Sequence, residues 1–313
     1  MCFGSKIKRK YNMARPVDLL KLAQKEFVEF INSFDYVLSD CDGVIWTPKP
    51  NLESGSFVNL MKKLGKKVHF VSNNSIRPKE NYENNFKASG IENGYDNLTV
   101  PSSAILEYLK SINFDRHVYS VSCDETNKLL ESNGIKVKTG PTVCPESYLD
   151  FGQYLDDDLD IGAVVFDSDF KTNLAQVHKA VTYLRRSDVL FLNGATDHHV
   201  SYRPGTLSLG PAIFADEVAK EVKRTPIQLA KPGKAFAEFV MKRVGIKPED
   251  AGRVLFIGDM IDQDIKLGKV AGFKSLLVLT NTSLEQMENH PIKPDFYAPS
   301  LGSLIPQIKA MDI

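Results

Sequence analysis

Tyr36-Val37-Leu38-Ser39-Asp40-Cys41-Asp42-Gly43-Val44-Ile45-Trp46 is the stretch on which the reading of the whole chain turns. Its first three residues form an apolar run that predicts a short buried strand, and the run ends in two aspartates one residue apart. Gly43 follows at once and permits a sharp turn. In a parallel α/β sheet, ligands collect beyond the carboxyl ends of the strands, where Asp40 and Asp42 would stand. A strand followed by an Asx turn would account for the same residues locally. The decision therefore rests on what other strands bring to that end.

Working outward, residues 17–33 carry apolar side chains at helical spacing and predict a helix leading into the opening strand. A helix is expected from Ser56 to Leu64, stopped by Gly65, and a second strand over Val68–Val71 ends in Ser72-Asn73-Asn74-Ser75. Arg77-Pro78 opens a helix that runs to Ser89 and closes at Gly90. This β-α-β-α rhythm predicts a parallel sheet. It returns late in the chain. A helix over 212–222 precedes a short strand, Ile227–Ala230, which ends in Lys231-Pro232-Gly233. A helix over 236–244, a buried strand over 253–257 ending in Gly258-Asp259, a helix over 261–271 and a strand over 275–279 follow. Between them the texture changes. Strand candidates at 118–121, 161–166 and 189–192 alternate with helical stretches such as Asn173–Leu184, and Pro141, Pro145 and the acidic run Asp156-Asp157-Asp158 mark loops. The expectation is an α/β chain: a Rossmann-like parallel-sheet core over 17–98 and 210–313, a smaller inserted α/β unit over 99–209, and a basic, disordered tail over 1–16.

Lys+Arg and Asp+Glu number 39 each, so the net charge is zero and there is no general pull toward nucleic acid or anionic membrane. No apolar run approaches the ~20 residues that span a bilayer. The four cysteines (Cys2, Cys41, Cys123, Cys144) are scattered without a CxxC pair and read as reduced thiols of an intracellular protein. The basic start (Lys6, Lys8, Arg9, Lys10, Arg15) has no apolar stretch after it, so it is not a secretory signal, and it lacks the amphipathic face of a mitochondrial one. A cytoplasmic protein is the expectation, with mitochondrial targeting the lesser alternative. N-x-[ST] matches at Asn73, Asn97 and Asn281 carry no weight without a secretory signal.

Four strands thus end in chemically loaded residues: Asp40/Asp42, Ser72/Asn73, Lys231 and Asp259. If all four lie in one parallel sheet, their ends face the same way. Three carboxylates packed together repel unless a cation sits among them, and hard oxygen donors of this kind suit Mg²⁺. Lys231 and Ser72 add donors suited to an anion, most simply a phosphate. One carboxylate can attack phosphorus to form an aspartyl-phosphate. A second, two residues on, can protonate the leaving oxygen and then activate water.

The four segments resemble the four motifs of the haloacid dehalogenase superfamily. Asp40-Cys41-Asp42-Gly43-Val44 matches the first, Val71-Ser72-Asn73-Asn74-Ser75 the second, Lys231-Pro232 the third, and Gly258-Asp259-Met260-Ile261-Asp262-Gln263-Asp264 the fourth. The resemblance covers nearly the whole chain from Met13 on. With Pro294-Asp295-Phe296-Tyr297-Ala298 and Ser300-Leu301-Gly302 it is similar to the branch of 4-nitrophenylphosphatases, phosphoglycolate phosphatases and pyridoxal phosphatases, which carries a C2-type cap between motifs two and three. The resemblance implies that Asp40 is the nucleophile and a Mg²⁺ ligand, Asp42 the general acid/base and a ligand through its backbone carbonyl, and Asp259 the third ligand. It implies that Asp264 supports the metal site or Lys231, and that Gly43, Ser72, Asn73, Asn74 and Lys231 hold the phosphate. The second acid, Asp42, argues against a dehalogenase.

The cap loop Asn193-Gly194-Ala195-Thr196-Asp197-His198-His199 corresponds to a family loop that reaches over the site. Relatives often read T-N-x-D there. Here Ala195 or Thr196, depending on register, replaces the asparagine, and Asp197, His198 and His199 are the candidate specificity residues. Cys41 is expected to pack beneath the loop, and Trp46 to line the mouth or pack against the cap. The resulting expectation is a phosphatase acting on a small phosphorylated metabolite, with no nucleic-acid or membrane partner and a homodimer through the cap implied by the resemblance. A phosphotransferase or mutase would keep the same residues. A non-catalytic binding descendant would have lost some of the acids, and none is missing.

Overall fold

The computed structural model describes residues 15–47, 49–203 and 206–311. The expectation for the basic tail lies outside these except for Arg15 and Pro16. The strands, in chain order, are β1 (Val17–Asp18), β2 (Tyr36–Ser39), β3 (Lys67–Val71), β4 (Leu98–Thr99), β5 (His117–Val121), β6 (Lys136–Thr139), β7 (Ile161–Phe166), β8 (Leu190–Asn193), β9 (His199–Arg203), β10 (Thr206–Leu209), β11 (Ile227–Gln228), β12 (Val254–Gly258), β13 (Lys274–Val278) and β14 (Phe296–Ala298). The chain divides into two compact units. One comprises the described residues up to Ser72, Lys79–Thr99, and those from Ala237 on; the other comprises Asn73–Pro78 and Val100–Phe236.

The first unit is built on a seven-stranded sheet in the order β1-β14-β13-β12-β2-β3-β4, parallel throughout. From β2 the chain winds outward through β3 and β4. It re-enters on the other side of β2 at β12 and winds away through β13 and β14. The order therefore reverses between β2 and β12, the place where an open α/β sheet leaves a crevice beyond its carboxyl ends. Every residue of β12 is buried, as a strand covered on both faces requires. Helix Gln24–Asn32 buries Phe27, Phe30 and Ile31, with the Phe30 ring 4.7 Å from that of Phe296.

Three departures from the expected elements have local causes. Val17 and Asp18 pair with Phe296 and Tyr297 as an edge strand, and Asp18 caps a short turn at Leu20, so the helix begins only at Gln24. The next helix starts at Leu52 rather than Ser56, because the Asn51 side chain accepts from the N–H groups of Glu53 and Ser54. The expected helix over 261–271 opens instead as a wide π turn, Ile261–Ile265, before the α-helix Lys266–Ala271.

In β3, His69 is buried and shares a 2.8 Å hydrogen bond with Thr99. Burial, with a smaller push from Arg243, lowers its pKa from 6.5 to about 4. The folded state thus favours the neutral ring. Its contribution to stability is complete above pH 6.5 and is lost as pH falls toward 4, in all about 3 kcal/mol. Urea titrations should show wild type losing roughly 1 kcal/mol of this relative to His69→Gln between pH 7.5 and 5.5. An unchanged difference between the two proteins would contradict the neutral assignment.

The second unit holds a five-stranded parallel sheet in the order β6-β5-β7-β8-β11 and a separate antiparallel pair, β9-β10. Numbered within the sheet, the order is 2-1-3-4-5, a doubly wound arrangement. Tyr119, Phe166, Tyr183 and Phe191 fill its core. The expected core boundary at residue 210 is corrected here, since helix Ala212–Val222 and β11 belong to the second unit. Ile227 pairs with Leu192 and Gln228 with Asn193, so the strand leading to Lys231 is not in the seven-stranded sheet. So short a stretch, Ile227-Gln228-Leu229-Ala230, reads alike in either sheet, and only its distant partner distinguishes them.

Candidate active site

Adjacent strands β2 and β12 deliver the first two acids. Ser39 lies in register with Ile257, and the Asp40 N–H continues the ladder to the Ile257 carbonyl at 2.9 Å. Asp40 and Asp259 therefore emerge side by side at the reversal point. Asp264 comes back to them through the π turn, where its Oδ2 accepts from the N–H groups of Asp259 (3.1 Å) and Met260 (3.0 Å). A Cβ on Gly258 would lie 2.1 Å from the Cβ of Asp264, so only glycine allows this return.

Carboxylate oxygens of Asp40, Asp259 and Asp264 lie within 4.8 Å of one another, and the three residues are 7%, 1% and 0% exposed. At that spacing each ionised pair repels by roughly 3–4 kcal/mol at an effective dielectric of about 20. A buried, all-oxygen, polyanionic donor set fits a hard divalent cation such as Mg²⁺. Asp264 joins the expected ligands Asp40 and Asp259 as the third carboxylate of the cluster; Asp42 is expected to contribute its backbone carbonyl, not its side chain.

Asp42 opens a tight turn. Val44, Ile45 and Trp46 all donate backbone N–H groups to the Cys41 carbonyl, and the Gly43 N–H donates to the carbonyl of Trp46 at 2.8 Å. Trp46 Nε1 donates to Asp42 Oδ1 at 2.9 Å. The indole is 2% exposed and packs on Phe86 and Tyr82 in helix Lys79–Ala88. Cys41 is fully buried beneath the loop. Ser72, just past β3, receives a 3.1 Å hydrogen bond from the Tyr82 hydroxyl.

Residues after β13 that the motifs did not mark complete this part of the site. Asn281 Nδ2 donates to Asp259 Oδ2 at 2.5 Å, Thr282 Oγ1 to the Asp259 carbonyl at 2.5 Å, and Thr280 Oγ1 to the Gly43 carbonyl at 2.6 Å. The available signal was position, because β13 ends beside β12 and its following polar triplet had to stand near Asp259.

Within the second unit, Asn73 is buried and organises another polar group. Its Oδ1 accepts from the Lys231 N–H at 2.9 Å, and its Nδ2 donates to Thr196 Oγ1 (3.1 Å), Asp197 Oδ1 (3.2 Å) and the Lys231 carbonyl (3.2 Å). Thr196 Oγ1 donates to the same carbonyl at 2.5 Å. Asp197 is thus tied to Asn73, and Thr196 both to Asn73 and to the backbone carbonyl of the buried Lys231. Asn74 accepts from the Arg77 N–H at 3.0 Å. His198 is exposed and pairs with Asp216 at 2.7 Å, and His199 is exposed at the start of β9. The motif reading missed Asp167, at the end of β7. Burial raises its pKa to about 6, while the Ser168 N–H and the Thr126 and Ser75 hydroxyls oppose the rise.

A family model described as haloacid dehalogenase-like hydrolase matches residues 37–136, and a second model, HAD-hydrolase-like, matches 228–304. The chain belongs to the haloacid dehalogenase-like hydrolases. It is an enzyme, a phosphoric monoester hydrolase with an α/β core and a cap domain. It is 27% identical over 285 residues to phosphoglycolate phosphatase 1A, chloroplastic, of Arabidopsis thaliana, covering 88% of this chain and 78% of that protein. It is 28% identical over 295 residues to the 4-nitrophenylphosphatase of Schizosaccharomyces pombe, covering 90% and 96%. Its fold is similar to that of the p-nitrophenyl phosphatase from Archaeoglobus fulgidus, with a TM-score of 0.73 at 24% identity over 89% of this chain and 100% of that one. No helix among the described residues is long and apolar enough to cross a membrane.

Proposed function

We propose that this enzyme hydrolyses small-molecule phosphomonoesters by double displacement on Asp40, with Mg²⁺ bound. The observation that carries the reading is the division among the acids: Asp40, Asp259 and Asp264 converge in one buried cluster, while the Asp42 carboxylate, which is not a member of it, accepts from the Trp46 indole. An Asp40 oxygen attacks phosphorus, and the bond to the ester oxygen breaks as Asp42 gives that oxygen a proton. Asp42 then takes a proton from water, whose oxygen attacks the phosphorus of the aspartyl-phosphate. Phosphate leaves and the Asp40 carboxylate is restored. Ser72, Asn73, Asn74, Lys231 and the Gly43 backbone hold the phosphoryl oxygens in this reading. Asp40, Asp259 and the Asp42 carbonyl would hold the cation, with Asp264 close behind. When bound, it neutralises the carboxylates and the phosphoryl oxygens that must approach each other.

Small phosphomonoesters are favoured because the two relatives above are named for phosphoglycolate and for 4-nitrophenyl phosphate. The fixing of Asp197 to Asn73 makes it a stronger candidate for reading the substrate than His198, whose ring is taken up by Asp216. The test is hydrolysis of 4-nitrophenyl phosphate, phosphoglycolate, pyridoxal phosphate and sugar phosphates by the chelator-treated enzyme, before and after Mg²⁺ is restored. Chelation should lower kcat/KM by about 10²-fold or more, the scale of several kcal/mol of charge stabilisation, and Mg²⁺ should restore it. Full activity in enzyme verified to be metal-free would sink the cation's part in the proposal.

A further inference from the structure

We propose that Trp46 is a positioning residue that fixes the Asp42 carboxylate and selects which of its oxygens carries the transferred proton. The inference rests on the reading of Asp42 as proton donor. The indole Nε1–H lies 2.9 Å from Asp42 Oδ1. An indole nitrogen can only donate, so Oδ1 must accept, and the proton of neutral Asp42 resides on Oδ2. Three residues separate the pair, and the turn brings the two together: Trp46 N–H donates to the Cys41 carbonyl at 3.2 Å while its own carbonyl accepts from Gly43. The indole cannot turn away freely. It meets Phe86 edge-on, with centroids 5.2 Å apart, and Tyr82 at 6.1 Å.

Tyr82 in turn donates to Ser72. One buried aromatic cluster therefore touches both the proton-carrying acid and the hydroxyl assigned to the phosphate. Asp42 is half-buried and has two rotatable bonds, and the indole hydrogen bond narrows the rotamers open to its carboxyl, a loss of freedom taken before the reaction begins. Fixing it in advance removes that loss from the chemical step.

A decisive readout is leaving-group dependence. Glycerol 2-phosphate expels an alkoxide and needs the proton; 4-nitrophenyl phosphate expels a stable phenolate and needs it far less. kcat/KM reports phosphoryl transfer to Asp40 and so isolates the donor step. Trp46→Phe keeps a buried ring and deletes the N–H. It should lower kcat/KM about tenfold for glycerol 2-phosphate, the scale of losing one hydrogen bond to a charged group, and less than about twofold for 4-nitrophenyl phosphate. Asp42→Asn separates the two hypotheses. If Asp42→Asn shows no leaving-group selectivity, the donor assignment fails. If Asp42→Asn is selective and Trp46→Phe is not, only the role of Trp46 fails. Trp46 is the single tryptophan of the chain, so its emission reads the contact directly in a protein that keeps the indole. Asp42→Ala should change the intensity or the maximum of that emission, and an unchanged spectrum would overturn the contact even if Trp46→Phe does not fold.

Discussion

Asp40→Asn should abolish turnover while leaving the metal-free protein at least as stable as wild type. The fold gives the reason for the second half. The Asp40 backbone is held by the ladder to Ile257, and its Oδ1 accepts from the Cys41 N–H at 2.7 Å, a bond that an amide oxygen can keep. The substitution removes one negative charge from a cluster in which each pair repels, so two repulsive pairs disappear at once. An amide oxygen is a poor nucleophile toward phosphorus, and losing an essential nucleophile costs on the order of 10⁴-fold or more in kcat. Without metal, the apparent Tm of the variant should therefore equal or exceed that of wild type. Added Mg²⁺ should raise the wild-type Tm more, because binding to the native state stabilises by mass action. Steady-state assays and thermal melts with chelator or Mg²⁺ check both halves. Turnover within tenfold of wild type would remove Asp40 from the nucleophile's place.

The legible part of this site was the part encoded by strand ends. β2, β3, β12 and β13 are short, largely buried strands of four or five residues, and each is followed within two positions by polar residues. The side-by-side emergence of Asp40 and Asp259 then needed only that β2 and β12 be neighbours. What escaped was everything decided by a distant partner. β1, β4 and β11 are two residues long and acquire meaning only from the strands they pair with. β11 shows the cost, since its pairing with β8 places the strand before Lys231 in the second sheet. The resemblance alone implies a supporting role for Asp264, and the π turn, which no periodicity announces, brings its carboxylate to the Asp259 N–H. Trp46 is expected from the sequence to line the mouth or pack against the cap. Its N–H, which finds Asp42 four residues back, follows from the turn and not from any periodicity. Asn281 was set aside as an irrelevant sequence match, although it holds Asp259.

Gly43→Ala should damage metal binding and catalysis together through a single methyl. Gly43 has φ +84°, which an alanine adopts only at a cost of about 1–2 kcal/mol. That alone would cost stability and spare catalysis. The greater effect is steric, because the added Cβ would lie 1.9 Å from Asp259 Oδ2 and 2.6 Å from Asn281 Nδ2. Neither neighbour can yield easily. Asp259 is 1% exposed, and its backbone is fixed by Thr282 on its carbonyl and Asp264 on its N–H. The loop cannot retreat either, since the Gly43 carbonyl is held by Thr280 and its N–H by Trp46. The methyl must therefore push the Asp259 carboxylate off Asn281 and out of the cluster with Asp40. Two losses should follow together. The Mg²⁺ concentration for half-maximal activity should rise by about tenfold or more, as when the supports of a metal ligand are disturbed. At saturating Mg²⁺, kcat/KM should still stay about 10²-fold below wild type, because the nucleophile's neighbour has moved by an ångström or more. Asn281→Ala deletes the support without adding the methyl, and it should reproduce the first loss with little of the second. A Gly43→Ala enzyme with wild-type Mg²⁺ dependence would show that the Asp259 carboxylate does not have to stand where the turn after β2 leaves room for it.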